Sequence, residues 1–276
     1  MKQELRIAAI GNVDSAKTTT ISVISNNILD NGRGKARRAI LKHPHEEISG
    51  RTSSITQHYI NTDDKIIGFI DLAGHEKYLK TTTSGLNGCF IDYAMITIGA
   101  DRGVIGMAKE HLTLAIALKL PIIVVITKID LAVPHKLNRI RNKIASIFNH
   151  PMAGTKKIVY VNNDNVNNII NNYNHNCDFI PVFETSNVKG INIDTLRTFV
   201  YSLKKYRLIG NSENKNPLFK IDDTFQLNGI GLVVSGIVQE GIIKEGDKME
   251  IGPFNGKFTE IIVKSLHNNF KQHVKY

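Results

Sequence analysis

The sequence predicts an α/β domain with a doubly wound, mostly parallel sheet, followed by a smaller, incomplete antiparallel β-barrel. Three observations carry this. Continuous apolar runs alternate with helix-competent runs as far as Leu203, the rhythm of strands covered by helices on both faces. A polar turn opening on Gly11 joins the first strand to the first helix. Beyond Leu218 the apolar runs shorten, and Gly229, Gly231, Gly241, Gly246, Gly252 and Gly256 punctuate them, the pattern of a small barrel. At 276 residues, 42% hydrophobic and 22% charged, the chain has room for one large domain and one small one. The boundaries expected are 1–205 and 218–276, with a polar linker over 206–217.

The elements follow in order. Leu5–Ile10 is an apolar strand and Thr19–Leu29 a helix. Asp30–Ser54 is polar, rich in Gly and Arg, and without an apolar period, which predicts a mobile functional loop. Thr56–Asn61 and Lys65–Ile70 form a hairpin around Thr62-Asp63-Asp64. Asp92–Gly99 and Pro121–Ile126 are buried strands, with Met107–Leu118 a helix between them. Pro134–Phe148 is a basic helix and Val159–Val161 a short strand. Asn162–Asn176 is so rich in Asn that it reads as a loop, with a short helix at most near Val166–Ile170. Phe179–Phe183 is the last strand of the domain, and Ile193–Leu203 an amphipathic helix with Leu196, Phe199, Val200 and Leu203 inward. In the second domain Phe219–Leu227, Leu232–Gln239, Asp247–Ile251 and Phe258–Leu266 are strands.

Composition narrows the function. No apolar run approaches the ~18 residues of a membrane span, so no membrane role is expected, and Met1-Lys2-Gln3-Glu4 leads straight into a strand without a signal peptide. Cys89 and Cys177 lack metal-ligand spacing, which fits a reducing, cytoplasmic setting. The formal net charge is +10, from 35 Lys and Arg against 25 Asp and Glu, an excess that favours RNA or ribosomes as partners.

Four motifs fall at successive strand ends. Gly11-Asn12-Val13-Asp14-Ser15-Ala16-Lys17-Thr18-Thr19 has the strand–loop–helix setting of a phosphate-binding loop. In it, backbone N–H groups cradle phosphate oxygens, Lys17 reaches the β- and γ-phosphates, and the Thr18 hydroxyl sits on Mg²⁺. Asp71-Leu72-Ala73-Gly74 puts a carboxylate at a strand end to hold Mg²⁺ through water, and a glycine N–H near the γ-phosphate. Thr127-Lys128-Ile129-Asp130 is one residue from Asn-Lys-x-Asp. There Asp130 accepts from guanine N1–H and the 2-amino group, and the Lys128 stem covers the base. Adenine lacks both donors, and a site built for such bonds rejects the wrong ligand by ~10⁴–10⁵, so an ATP-dependent enzyme is disfavoured. Ser186-Asn187 supplies a backbone N–H to guanine O6.

These motifs in this order, followed by a barrel, resemble the translational GTPases related to elongation factor Tu. The resemblance is narrower to the GTP-binding protein 1/2 branch. It rests on Asp30-Asn31-Gly32-Arg33-Gly34, Ala36-Arg37, His45-Glu46, Ser49-Gly50-Arg51-Thr52-Ser53-Ser54, Gly106-Met107-x-Lys109-Glu110-His111-Leu112, the Thr127 variant of the guanine motif, Ile221-Asp222-Asp223-Thr224-Phe225 and Val233-Val234-Ser235-Gly236. It implies a GTP/GDP switch that needs Mg²⁺, hydrolyses GTP and acts with RNA, tRNA or the ribosome. It also implies that Thr52 contacts Mg²⁺ and the γ-phosphate, with Ser53 and Ser54 as neighbouring candidates, and that His75 positions the attacking water. Arg33, Arg37, Arg38 and Arg51 either meet phosphate or RNA or are simply solvated.

Two departures matter. Ala16 stands where the pattern has glycine; if that position needs positive φ, the penalty is ~1–2 kcal/mol. The family's barrel is longer and a further barrel follows it, so delivery of aminoacyl-tRNA is in doubt and a partner chain completing the barrel is expected. The alternative reading, from a different class, is a degenerate GTPase-like binding module with weak or no turnover.

Overall fold

A computed structural model describes residues 2–40, 56–75, 77, 82, 86, 90–206, 216–227, 229–268 and 272–275. The chain divides into two compact units, Met1–Tyr206 and Arg207–Tyr276. The linker expected over 206–217 lies mostly outside the described residues.

In the first unit the elements run β1 (Gln3–Gly11), α1 (Lys17–Asn26), α2 (Lys35–Arg38), β2 (Thr56–Asn61), β3 (Lys65–Asp71), β4 (Tyr93–Gly99), α3 (Met107–Ala117), β5 (Ile122–Thr127), α4 (Pro134–Phe148), β6 (Lys157–Tyr160), α5 (Val166–Asn176), β7 (Phe179–Glu184) and α6 (Ile193–Ser202). The strands form one sheet in the order β2-β3-β1-β4-β5-β7-β6. Only β2 runs antiparallel, in the expected hairpin with β3; β1, β3, β4, β5, β7 and β6 are parallel. Their alternating side chains feed two cores. Ala8, Ile10, Ile96, Ile98, Val124 and Ile126 pack with Leu112, Ile140, Ile144 and Phe148 of α3 and α4 on one face. Ile7, Ala9, Phe69, Met95, Val125 and Phe183 pack with Ile21, Tyr173, Leu196 and Phe199 of α1, α5 and α6 on the other. A parallel sheet covered on both faces needs such uninterrupted apolar strands.

The register aligns the site. Ala9 is opposite Asp71, Gly11 opposite Thr97, and Gly99 opposite Thr127, so the four sequence motifs share the carboxyl rim of the sheet, where open α/β sheets bind ligands.

Three expectations for the first unit need correction. The Asn-rich segment forms the full helix α5, not a loop with one short turn. Val166, Ile169 and Tyr173 recur at helical spacing and are buried, and the Asn162 side chain accepts the N–H groups of Asp164 and Asn165 at 3.0 and 3.1 Å. Packing one stripe outweighs the low intrinsic propensity of Asn. Helix α1 stops at Asn26 rather than Leu29, because Asn27 takes a left-handed φ of 55° and ends it as a C-cap. Residues 30–40, expected within a mobile loop, form a hydrogen-bonded turn and α2; the rest of that loop, including Thr52, lies outside the described residues.

In the second unit β8 (Leu218–Leu227) pairs with β9 (Gly231–Glu240), β10 (Lys248–Phe254) with β11 (Lys257–Ile262), and β12 (Leu266–His267) with β13 (His273–Val274), all antiparallel. The single strand expected over Phe258–Leu266 is thus two, β11 and β12. Among its described residues the buried apolar side chains are Ile243 and Ile251. Among all described residues, no helix is long and apolar enough to cross a membrane.

Candidate functional site

The loop after β1 is held by its own backbone and by hydroxyl groups. Gly11 has φ 141°, and a Cβ there would lie 2.8 Å from Thr97 Oγ1 and 3.0 Å from Ser15 Oγ, so only glycine lets the strand end pass so close. Asn12 O accepts Ser15 Oγ at 2.8 Å and Lys17 Nζ at 2.9 Å. Ser15 is buried, and its hydroxyl also meets Thr97 Oγ1 at 2.7 Å. Asp14 and Ala16 both take left-handed φ, 59° and 66°. Ala16 is the residue from which α1 starts, its carbonyl accepting the N–H of Thr20 at 2.8 Å. Val13 and Thr19 are half-buried, and the Asp14 carboxylate makes an exposed ion pair with Arg102 at 3.3 Å.

Lys17 is 7% exposed. Its ammonium donates to the carbonyls of Asn12 and of Gly11, the latter at 3.3 Å. Burial pushes its pKa below the ordinary lysine value, while the Asp71 and Asp14 carboxylates oppose that shift. A buried cation whose hydrogen-bond acceptors are backbone carbonyls is suited to an anion. Gly74 packs against it: a Cβ on Gly74 would stand 2.8 Å from both Gly11 O and the Asn12 carbonyl carbon. Thr18 Oγ1 donates to Asp71 Oδ2 at 2.5 Å. Two hard oxygens converging beside a phosphate-type loop are the protein donors Mg²⁺ takes when phosphate and water supply the rest, so these residues fit that ion.

On the neighbouring strand ends, Thr127 is fully buried. Its hydroxyl, which the sequence sets beside the base, turns onto the loop and donates to Ser15 O at 2.9 Å. Lys128 takes a left-handed φ of 59°, and its Nζ meets Asp101 Oδ2 at 3.0 Å. Asp130 sits on the 3-10 turn Ile129–Leu131, exposed and without a partner among the described residues. The N–H of Ile129 donates to Thr185 O at 3.3 Å, which brings Asp130 to the loop carrying Ser186 and Asn187. The Ser186 N–H is taken by Ile191 O at 3.1 Å, so the donor left for a base oxygen is the N–H of Asn187. Asn187 is fixed from behind, its amide donating to Thr20 Oγ1 at 2.9 Å and its carbonyl accepting the N–H of Asp30 at 2.9 Å. His75 is exposed, and its Nδ1 accepts the N–H of Lys77 at 3.1 Å, which leaves the proton of a neutral ring on Nε2.

Three residues of this site have no role that the sequence assigns. His111 of α3 is fully buried, and its Nδ1 accepts the N–H of Gly11 at 3.1 Å. Burial first and the Lys17 charge second lower its pKa to about 4, so the ring is neutral. Thr97 and Asp30 complete the set. In sequence, His111 and Asp30 lie in stretches that carry the branch resemblance, and His111 is also a polar residue in the stripe of Ala108, Leu112 and Ala115; Thr97 in a buried strand offers no signal.

The elongation factor Tu GTP-binding domain model matches residues 2–205. GTP-binding protein 1 of Xenopus laevis is 38% identical over 96% of this chain and 44% of its own length. GTP-binding protein 2 of Homo sapiens is 33% identical over 96% of this chain and 48% of its own. The chain thus spans less than half the length of these relatives. Among solved structures, a bacterial selenocysteine-specific elongation factor, EF-Sec, has a TM-score of 0.70 at 22% identity, covering 100% of this chain and 40% of that one. Elongation factor SelB of Methanococcus maripaludis, in complex with the GTP analogue GppNHp, has a TM-score of 0.70 at 22% identity, covering 100% and 49%; both likenesses concern the fold. With that family model matching nearly all of the first unit, the chain belongs to the elongation factor Tu GTP-binding domain family of translational GTPases.

Proposed function

We propose that the protein is a Mg²⁺-dependent switch that binds GTP and GDP, hydrolyses GTP slowly alone, and acts in the cytoplasm with RNA or the ribosome. The convergence of Lys17, Thr18 and Asp71 at the ends of β1 and β3, with Thr18 Oγ1 2.5 Å from Asp71 Oδ2, carries the reading. In it the loop amides of residues 12–18 and the Lys17 ammonium bind the phosphates. Thr18 and Asp71, with Thr52 as the resemblance implies, would hold Mg²⁺, whose charge would offset that of the phosphates. Asp130 and the Asn187 N–H read guanine, and Lys128 covers the base. In hydrolysis, water attacks the γ-phosphorus as the bond to the β–γ bridging oxygen breaks, giving GDP and phosphate. His75 orients that water, and positioning and electrostatics supply most of the acceleration.

The test is titration of mant-GDP and mant-GTP with Mg²⁺, against ATP as competitor and Lys17→Ala as control, followed by single-turnover hydrolysis with and without ribosomes. Micromolar or tighter guanine-selective binding, lost in Lys17→Ala, and hydrolysis accelerated by ribosomes and abolished in His75→Ala are expected. Binding without turnover in either condition would favour the degenerate-module alternative instead.

A further inference from the structure

Residues 31–38 contain Arg33, Lys35, Arg37 and Arg38 and no Asp or Glu. The nearest carboxylate, Asp30, is buried and spent on the backbone: its Oδ2 accepts the N–H groups of Gly32 and Gly34 at 3.0 and 3.3 Å, and its Oδ1 that of Ala36 at 2.9 Å. Asn31 Oδ1 accepts the N–H of Arg33 at 2.9 Å, and Ser22 Oγ donates to Ala36 O at 2.5 Å, tying the turn to α1. Gly32 and Gly34 take φ of 78° and 80°. This fixed turn presents Arg33, Lys35 and Arg38 to solvent, and none of the three pairs with a carboxylate among the described residues. Lys35 and Arg38, three apart on α2, share a helix face, where like charges weaken a helix and so do not serve its stability.

The turn is also joined to the base loop. The Asp30 N–H donates to Asn187 O at 2.9 Å, and Leu29 packs so closely on Gly190 that a Cβ there would lie 3.2 Å from its Cδ1. We infer that the turn Asp30–Arg38 grips the phosphate backbone of RNA and, through Asp30 and Asn187, slows nucleotide release while RNA is held. Guanidinium forks match phosphate oxygens, and residues 30–38 carry no aromatic or large aliphatic side chain to stack on a base or enter a bilayer. Recognition is therefore of backbone rather than sequence. The inference rests on the RNA-linked switch proposed above and names its contact.

The test is fluorescence anisotropy of labelled oligouridylate with the full chain across a salt series, for the wild type, Arg33→Ala/Lys35→Ala/Arg38→Ala, and Arg139→Ala/Lys143→Ala on α4. The triple variant is expected to lose RNA affinity tenfold or more while keeping its mant-GDP affinity. Three lost phosphate contacts lower the log–log salt slope by about 2. The α4 variant should bind RNA within twofold of the wild type. Saturating RNA should slow mant-GDP release at least threefold in the wild type and not in the triple variant. Equal losses in both variants, or equal wild-type affinity for poly-glutamate or phosphatidylserine vesicles, would overturn the RNA assignment; RNA binding without slowed release would overturn the coupling. A wild type that binds no mant-GDP fails the switch reading, while the RNA titration still decides the surface.

Discussion

Ala16 has φ 66° in the folded loop, so the strain its identity implies is present, and Ala16→Gly measures it. The left-handed region costs an L-residue with a Cβ ~1–2 kcal/mol. Glycine returns ~0.4–1 kcal/mol of that through the greater freedom of its unfolded chain. The net expectation is a stabilisation of about 0.5–1 kcal/mol, or a rise in Tm of ~1–4 °C for a unit the size of Met1–Tyr206. Differential scanning fluorimetry and urea denaturation, run on wild type, Ala16→Gly and Ala16→Val, give the answer. The β-branched variant should fall below the wild type, because φ > 0 is hardest on such side chains. A lower Tm for Ala16→Gly would refute the reasoning. Because the strain belongs to the fold itself, GDP affinity of Ala16→Gly should stay within about threefold of the wild type. A gain of tenfold or more would mean that the methyl crowds the phosphate.

Three further outcomes follow from the same geometry. Thr127→Val removes the donor to Ser15 O and leaves a buried carbonyl unpaired, so it should destabilise by ~1–3 kcal/mol and speed mant-GDP release, read by denaturation and stopped flow. His111 is neutral in the fold with a pKa near 4, against 6.5 unfolded. The unfolded chain therefore takes up the proton first as pH falls, and the contribution is intact above pH 6.5 and lost towards pH 4. That is about 3 kcal/mol in full, and urea titrations across this window should show His111→Gln losing that much less than the wild type. Asp130→Asn swaps an acceptor for a group that also donates, so GDP affinity should drop at least ~100-fold while xanthosine diphosphate, with an oxygen in place of the 2-amino group, gains; unchanged guanine selectivity in competition assays would remove Asp130 from the base site.

What the sequence makes legible here has periodicity or spacing behind it. The parallel strands, helix α4 and the four rim motifs are visible because apolar runs and fixed offsets are one-dimensional. Helix α5 was hidden because its three buried anchors, Val166, Ile169 and Tyr173, lie among Asn residues whose local preferences point to turns, and only their packing against α6 and the sheet decides. The fixed turn after Asp30 was hidden for a related reason. A run of Gly and Arg has no period, and its order comes from one carboxylate bonding three backbone N–H groups. His111 and Thr97 reach the loop across α3 and β4, contacts fixed by strand register rather than by neighbours in the chain.

The departure at Ala16 and the threonine at position 127 meet at one place. Ala16 carries the left-handed strain; the carbonyl of Ser15, in the peptide that sets the Ala16 φ, accepts the Thr127 hydroxyl, and the Ser15 side chain is bonded to Thr97. Thr127 stands where the superfamily's motif has asparagine, a variant shared with the branch this chain resembles. Decay of the loop would leave buried polar groups unpaired, at ~1–3 kcal/mol each. Instead the Ser15 hydroxyl and carbonyl and the Thr127 hydroxyl are all paired. The set is a fixed loop, and it predicts coupling: in a double-mutant cycle Ala16→Gly should recover less stability in the Thr127→Val background than in the wild type, because a loop released from the Thr127 hydroxyl can relax the left-handed strain that glycine relieves. Strict additivity, to within about 0.3 kcal/mol, would mean that Thr127 and Ala16 act independently and that the loop owes nothing to the hydroxyl beneath it.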